Sequence, residues 1–357
     1  MRRVLVFLSV TVAVLGVAGG AQAAGWQVAA GEQARPPAGT PKGATLNAFF
    51  PAKLTIDAGD SVTFSSASFH TVTYTAGKPP AGLFIPDPAK GTYAGLTDST
   101  GAAFYFDVLP KFIYNGAAFA PVGGKSIVAG QPVSSGVLSP RGPKAPPAKA
   151  TYTFPKAGTF QLICSVHPGM KTIIVVKPAG APVPLTASQV TASALLQQAA
   201  GWKKAKAIAA TKVPANTVFA GVGSSSALLT FLPQVLKVKA GTTVSFVNRS
   251  PSEVHNVAFG PKKYLLAFSK QTDLLPRGPG SKNQVTPLYF YGTEPKGGYT
   301  YDGSNHGNGF FATPLTAGSP LVPLPRSEKV TFSTAGTYKY ICFLHGADMS
   351  GTVIVTQ

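Results

Sequence analysis

Apolar and polar residues alternate in short stretches along this chain, and the same stretch occurs twice. In Lys53-Leu54-Thr55-Ile56-Asp57 every second residue is apolar, an Ala58-Gly59 turn follows, and Val62-Thr63-Phe64 resumes the alternation. The second occurrence, Val235-Leu236-Lys237-Val238-Lys239, Ala240-Gly241 and Val244-Ser245-Phe246, keeps the register unbroken. A period of two means strands that bury one face, and the turn between them predicts a half-buried hairpin in each copy. The far ends repeat as well, since Ala157-Gly158-Thr159-Phe160-Gln161-Leu162-Ile163-Cys164 matches Ala335-Gly336-Thr337-Tyr338-Lys339-Tyr340-Ile341-Cys342. A closing strand follows each, over residues 172–176 and 352–355. We therefore read two copies of one β unit, residues 24–178 and 213–357.

The linker between them, residues 179–212, begins rich in Pro and Ala and continues rich in Ala, Gln and Lys, which predicts a helix. Thr186 and Gln189 have capping-box spacing, and Val190, Leu195, Leu196 and Ala199 form a candidate apolar stripe. The helix is read as a connector packed on a domain edge, with a solvated tether as the alternative. Each copy also carries a long Gly/Pro-rich insertion, about residues 78–147 and 261–325. Loops of this length carry function or disorder. The clusters Phe104-Tyr105-Phe106 and Tyr289-Phe290-Tyr291 argue for partial order there, as extra strands over the sandwich.

Arg2 and Arg3, the uncharged apolar run at residues 4–17 and the A-x-A pattern of Ala21 and Ala23 predict a signal peptide spanning residues 1–23. The apolar run is short for a permanent membrane helix, so a retained anchor is the weaker alternative. The protein is expected to be exported, periplasmic or extracellular, and soluble after cleavage. With 39 Gly, 32 Pro and only 12% charged residues, the composition suits short strands bounded by breakers. The formal charge is +19, or +17 once Arg2 and Arg3 leave with the signal. Such an excess favours anionic partners: an acidic redox protein, an anionic envelope polymer or a membrane surface. Nucleic acid is disfavoured, because the lysines are scattered without an aromatic-basic motif.

Two cysteines in an exported chain suggest a disulfide, but their surroundings suggest a metal. Cys164-Ser165-Val166-His167-Pro168-Gly169-Met170 and Cys342-Phe343-Leu344-His345-Gly346-Ala347-Asp348-Met349 each bring a thiolate, an imidazole and a thioether close together. His70 and His255 follow an early strand of their respective copies. One thiolate, two imidazoles and a thioether are the set used for trigonal copper with a weak axial ligand. Zinc accepts the first three but is poorly served by Met.

On these residues the chain resembles the plastocyanin, azurin and amicyanin family of cupredoxins. The likeness covers the early strands, the ligand loop and the last strand of both copies, and leaves out the insertions and the linker. It implies an all-β protein of two tandem Greek-key β-sandwiches joined by a helical linker. It also implies two type 1 copper sites, His70, Cys164, His167 and Met170 in the first copy and His255, Cys342, His345 and Met349 in the second. The first loop resembles the short amicyanin form, while the extra residue before Met349 fits neither the short nor the long form. In the family the residue after the first histidine helps to fix the ligand loops; Asn256 fits that pattern and Thr71 departs from it, which implies different sulfur hydrogen bonding and different potentials. The family's solvent-edge ligands, here His167 and His345, are the expected electron ports.

The enzymes built from linked domains of this kind use further histidines, one of them beside the blue-site cysteine. Here the neighbours of the cysteines are Ile163, Ser165, Ile341 and Phe343, and of five histidines only His306 is unassigned. The expected function is therefore non-enzymatic electron transfer, with copper buffering and an envelope scaffold as the rivals. His306, in a Gly-rich segment, is read as a solvated loop residue, with a partner-facing or transient metal contact as its functional alternative.

Overall fold

A computed structural model describes residues 23–32, 36–87, 97–102, 104, 110–142, 144–269, 285, 287–295 and 298–357. Residues 1–22 of the expected signal peptide, and Tyr105 and Phe106, lie outside the described residues. Among the described residues no helix is long and apolar enough to cross a membrane.

The chain is built from β-sandwiches with few helices. In the first copy one sheet runs Ala148–Thr153, Ser61–Ser66, Gly25–Ala30, Phe49–Phe50. The other runs Lys53–Asp57, Lys171–Lys177, Gly158–Ile163, His70–Tyr74, Val133–Leu138, Pro121–Val122. Trp26, Val28, Val62 and Phe64 from the first sheet meet Leu54, Ile56, Phe160, Leu162 and Ile174 from the second in one buried core. The second copy repeats the plan: Thr217–Gly223 lies parallel to Thr242–Arg249, and Val235–Lys239 lies parallel to Gly346–Thr356.

The expected hairpins do not form. Lys53–Asp57 and Ser61–Ser66 belong to opposite sheets, so the Ala58-Gly59 turn carries the chain across the sandwich. Its amides are satisfied on both sides, Ala58 N donating to Lys177 O at 2.9 Å and Gly59 N to Phe154 O at 2.8 Å. Ala240 N and Gly241 N do the same to Thr356 O and Phe332 O, each at 2.7 Å. Alternation records which face of a strand is buried, and two strands that face one core from opposite sheets alternate just as hairpin partners do.

The linker helix spans Ala187–Ala209 and opens with the predicted capping box, Thr186 Oγ1 accepting from Gln189 N and Gln189 Oε1 accepting from Thr186 N. Its buried face differs from the predicted stripe. Val190, Ala194, Gln198, Trp202 and Ala205 are buried, whereas Leu195 and Leu196 are 62% and 73% exposed. Trp202 and Ala194 pack with Ala29, Leu46 and Phe50, and that aromatic contact selects the face. The helix touches strands of both copies, Gly25–Ala30 and Ala227–Leu232, and so fills a seam where an outer edge was expected. A second tie is the short strand Ala44–Thr45, which lies ahead of Phe49–Phe50 in the chain yet pairs with Ala227–Leu232 of the second copy.

The insertions also join the copies. Phe84–Pro86 pairs with Phe112–Tyr114, and Phe84, Phe104, Phe112 and Tyr114 pack with Leu288, Tyr289, Phe310 and Phe343. Tyr289-Phe290-Tyr291 falls in the short helix Leu288–Tyr291, where a strand was expected.

Candidate metal centres

Two adjacent antiparallel strands position the first site. His70 opens His70–Tyr74, and Cys164 directly follows Gly158–Ile163, with Thr73 opposite Ile163. The ligand loop then folds back on itself. Cys164 N donates to Met170 O at 3.0 Å and Met170 N to His167 O at 3.1 Å, while Gly169, at φ +87°, supplies the left-handed residue the turn needs. His70 Nδ1 and His167 Nδ1 lie 3.0 Å apart, and Cys164 Sγ is 3.4 Å from His167 Nδ1 and 3.9 Å from His70 Nδ1.

The second site reproduces this geometry. Cys342 Sγ lies 3.4 Å from His345 Nδ1 and 3.9 Å from His255 Nδ1. In each triad all three candidate donor atoms fall within 4.8 Å of one another. Met170 and Met349 are buried in the same core clusters as Cys164 and Cys342. Both cysteines are free, which removes the disulfide alternative.

The donor set fits copper. A carboxylate of Glu253 accepts from His167 Nε2 at 3.1 Å, which leaves Nδ1, on the side of His70 and Cys164, as the atom that would ligate a metal once its proton is displaced. Burial alone would raise the Cys164 thiol, but the His167 and His70 rings hold it well below its ordinary value, and His345 and His255 do the same for Cys342. Burial works against charge on His167, yet Glu253 and the Cys164 thiolate push it up to about 10. Without metal, each pocket therefore already presents the thiolate form that soft-metal ligation requires.

A glycine backs each first histidine. A Cβ on Gly31 would stand 2.2 Å from His70 Nε2, and one on Gly221 would stand 2.3 Å from His255 Nε2; their φ values are +77° and +73°. Only glycine lets the backbone lie against the back of the ring. A second shared feature links the residue after that histidine to the residue after the cysteine. Thr71 Oγ1 accepts from Ser165 N at 2.7 Å, and Asn256 Oδ1 accepts from Phe343 N at 2.9 Å. Thr71 thus performs the anchoring expected of Asn256 alone. Sulfur hydrogen bonding does differ. Thr71 N donates to Cys164 Sγ at 3.3 Å, and among the described residues no backbone N–H has that role at Cys342.

The expected solvent edge is not open at His167, which is buried. Glu253, from the second copy, lies against it and also places Oε2 3.8 Å from His345 Nε2. Asn47, from the first copy, holds the same carboxylate, Nδ2 donating to Glu253 Oε1 at 2.8 Å and to Ser252 Oγ at 3.2 Å. Burial opposes the Glu253 charge, but the histidines, His167 foremost, lower it to about 2. Sequence reading gave no role to Glu253, Asn47, Gly31 or Gly221. Its one available signal was an acidic residue two positions before a ligand histidine in a chain with only 12 of them.

His306 is not solvated. Its Nδ1 lies 3.2 Å from Asp98 Oδ2, its Nε2 lies 2.6 Å from Glu294 Oε1, and its ring rests on Phe104 at 4.8 Å between centroids. The carboxylates sit on opposite edges of the ring and do not converge on one point, so this is a clasp between the insertions.

Over residues 218–356 the sequence matches the family of copper binding proteins, plastocyanin/azurin family. No curated protein matches the chain. Among solved structures it is similar to a Cu(I) form of an amicyanin mutant, at 21% identity over 42% of this chain and 89% of that one, with a TM-score of 0.22. It is also similar to auracyanin A, a "blue" copper protein from the green thermophilic photosynthetic bacterium Chloroflexus aurantiacus, at 21% identity over 39% of this chain and 96% of that one, with a TM-score of 0.24. The copper assignment rests on the two ligand sets and on the family match.

Proposed function

We propose, from the premise that residues 218–356 are a copper-binding domain of the plastocyanin/azurin family, that the whole chain is an exported electron carrier with one type 1 copper in each copy. The observation that carries this reading is the twofold convergence of Nδ1, Nδ1 and Sγ, each with a buried methionine in the same core. His70, Cys164, His167 and Met170 would hold the first copper, and His255, Cys342, His345 and Met349 would hold the second.

When bound there, copper supplies a one-electron Cu(II)/Cu(I) couple. The chain's own residues hold the donor atoms still. The Thr71 and Asn256 anchors tie the cysteine loop to the histidine strand, Gly31 and Gly221 fix the rings from behind, and the sandwich cores surround the sulfurs. Ligands held by a rigid outer shell let an electron arrive and leave with little rearrangement. The same burial supports a carrier over a buffering protein, because release of metal would require the ligand loop to open. A non-catalytic role is supported by the last histidine, which is engaged with Asp98 and Glu294 and does not join another histidine. The basic surface favours an acidic redox partner, an anionic envelope polymer or a membrane surface.

The test is a redox titration followed by metal analysis. Reversible one-electron cycling at each site with copper retained is the expected result; ready loss of copper to an apo acceptor without reversible cycling favours buffering and overturns the proposal.

A further inference from the structure

We infer that Glu253 is an electron bridge between the two copper sites, joining the outer edge of one ligand histidine to the outer edge of the other. The inference rests on the two-copper reading above and goes beyond it, since two carriers in one chain need not communicate.

The connection is continuous. His167 Nε2 lies 3.1 Å from Glu253 Oε1, and His345 Nε2 lies 3.8 Å from Glu253 Oε2, so one carboxylate spans both rings on the side opposite their Nδ1 atoms. Each ring belongs to the residue that follows its cysteine by three in the ligand loop. The side chain of Glu253 is only 11% exposed, which screens the link poorly from either ring and keeps competing water from the contact.

The bridge is also built from both copies. Asn47 Nδ2, from the first copy, donates 2.8 Å to Glu253 Oε1. Asn248 Nδ2 donates to Glu253 O at 3.1 Å and to Thr316 O at 2.9 Å, which fixes the backbone from the second copy. Ser252, next in the chain, is buried and is held by Asn47 and by Ser224 O. A carboxylate placed only to neutralise surface charge would need none of this support. The link is asymmetric, because the contact to His167 is at hydrogen-bond length and that to His345 is at ion-pair distance. The His345 contact is therefore the weaker step.

A physical consequence follows for the ports. The two edges that serve single-domain carriers as exits face each other here, so an electron entering either site has the other site as its nearest neighbour. Glu253 is a positioning and bridging residue and not a ligand; the step it serves is one electron passing from the Cu(I) site to the Cu(II) site, with one site oxidised and the other reduced and no bond made or broken.

The experiment uses the copper-loaded full-length mature protein, Glu253→Ala and Glu253→Gln. Copper content, both blue bands and both potentials are measured first, then the rate at which an electron injected by flash reduction redistributes between the sites. We expect two coppers and both bands in the wild type and in Glu253→Gln, which keeps the volume and one acceptor oxygen, and weaker copper binding at the first site of Glu253→Ala, which loses the His167 contact; between loaded sites, exchange should be slowed by about 10- to 100-fold in Glu253→Ala and less in Glu253→Gln. Unchanged exchange in Glu253→Ala with both coppers in place overturns the bridge and leaves the carrier reading intact. Loss of copper from Glu253→Gln, whose amide oxygen keeps the contact to His167, also overturns it, by reducing the carboxylate to a charge that holds the ligands in place. Should the alanine variant fail to fold, Glu253→Gln and the wild-type resonance decide. The electron paramagnetic resonance of fully oxidised wild type should be broadened relative to Cys164→Ser and Cys342→Ser, and a spectrum equal to their sum overturns the bridge. A wild-type protein without blue copper defeats the underlying reading instead.

Discussion

Thr71 and Asn256 occupy the same place in the two copies, directly after the first histidine, and each accepts a hydrogen bond from the residue after the cysteine. The residue types differ and the task is the same. Around the sulfur the order reverses: the cysteines are identical, but only Cys164 accepts a backbone N–H among the described residues, from Thr71. The contrast teaches that the ligand set and its scaffolding are shared, while the fine electronic setting is local to each copy. Hydrogen bonds around the cysteine sulfur tune the potential of such sites. Withdrawing electron density from the thiolate favours Cu(I), so the first site is expected to have the higher potential.

The largest effects come from removing a sulfur. Cys164→Ser should abolish one blue band and lower the copper content from two to one per chain, with Cys342→Ser doing the same for the other band. If either variant empties both sites, the copies are not independent pockets and the comparison fails. Next come the glycines behind the rings. Gly31→Ala and Gly221→Ala should each destabilise the metal-free protein by about 1–3 kcal/mol in denaturant unfolding and weaken copper binding at their own site. A cost at only one of them would show that the cradle is not a shared device.

The anchors sharpen the comparison further. Asn256→Leu strands the buried Phe343 amide and should cost about 1–3 kcal/mol, while Thr71→Val strands the part-buried Ser165 amide and should cost less. Thr71→Val removes the Oγ1 contact to Cys164 Sγ at 3.8 Å but leaves the backbone N–H bond at 3.3 Å, so the difference in potential between the sites should shrink and keep its sign in that variant. A potential of the first site at or below that of the second in the wild type would contradict the sulfur argument.

The smallest effect expected is at the His306 clasp. Burial opposes its charge, but Glu294 and Asp98 raise its pKa, so the stabilisation is complete below the unfolded value of 6.5 and is lost as pH rises through the raised folded value. Asp98 is lowered to about 2, by its Thr100 hydrogen bond foremost, so its share holds above 3.8 and is lost as pH falls through about 2. Hydrogen exchange should show the insertions most protected between those limits, with less change in the sandwich cores. Equal protection at neutral and strongly alkaline pH would remove the clasp.

Much of this was legible in the chain. The strands, the repeat, the capped helix and the Cys and His donors of each site follow from period two, period 3.6 and donor chemistry, which are local. The hairpin reading failed because alternation does not say which sheet a strand joins. The helix stripe failed because Trp202 found partners in Leu46 and Phe50, more than 150 residues away. His306 met Asp98 and Glu294 by a similar long-range closure, and the meeting of Glu253 with His167 depends on how two copies dock. None of these has a periodic signature.

The measurement that bears most directly on the account is copper content per chain with the visible spectrum of the protein, oxidised and then reduced. The account predicts two coppers and strong thiolate-to-copper absorption that bleaches on reduction. A colourless protein, or one that holds a single copper, would contradict it.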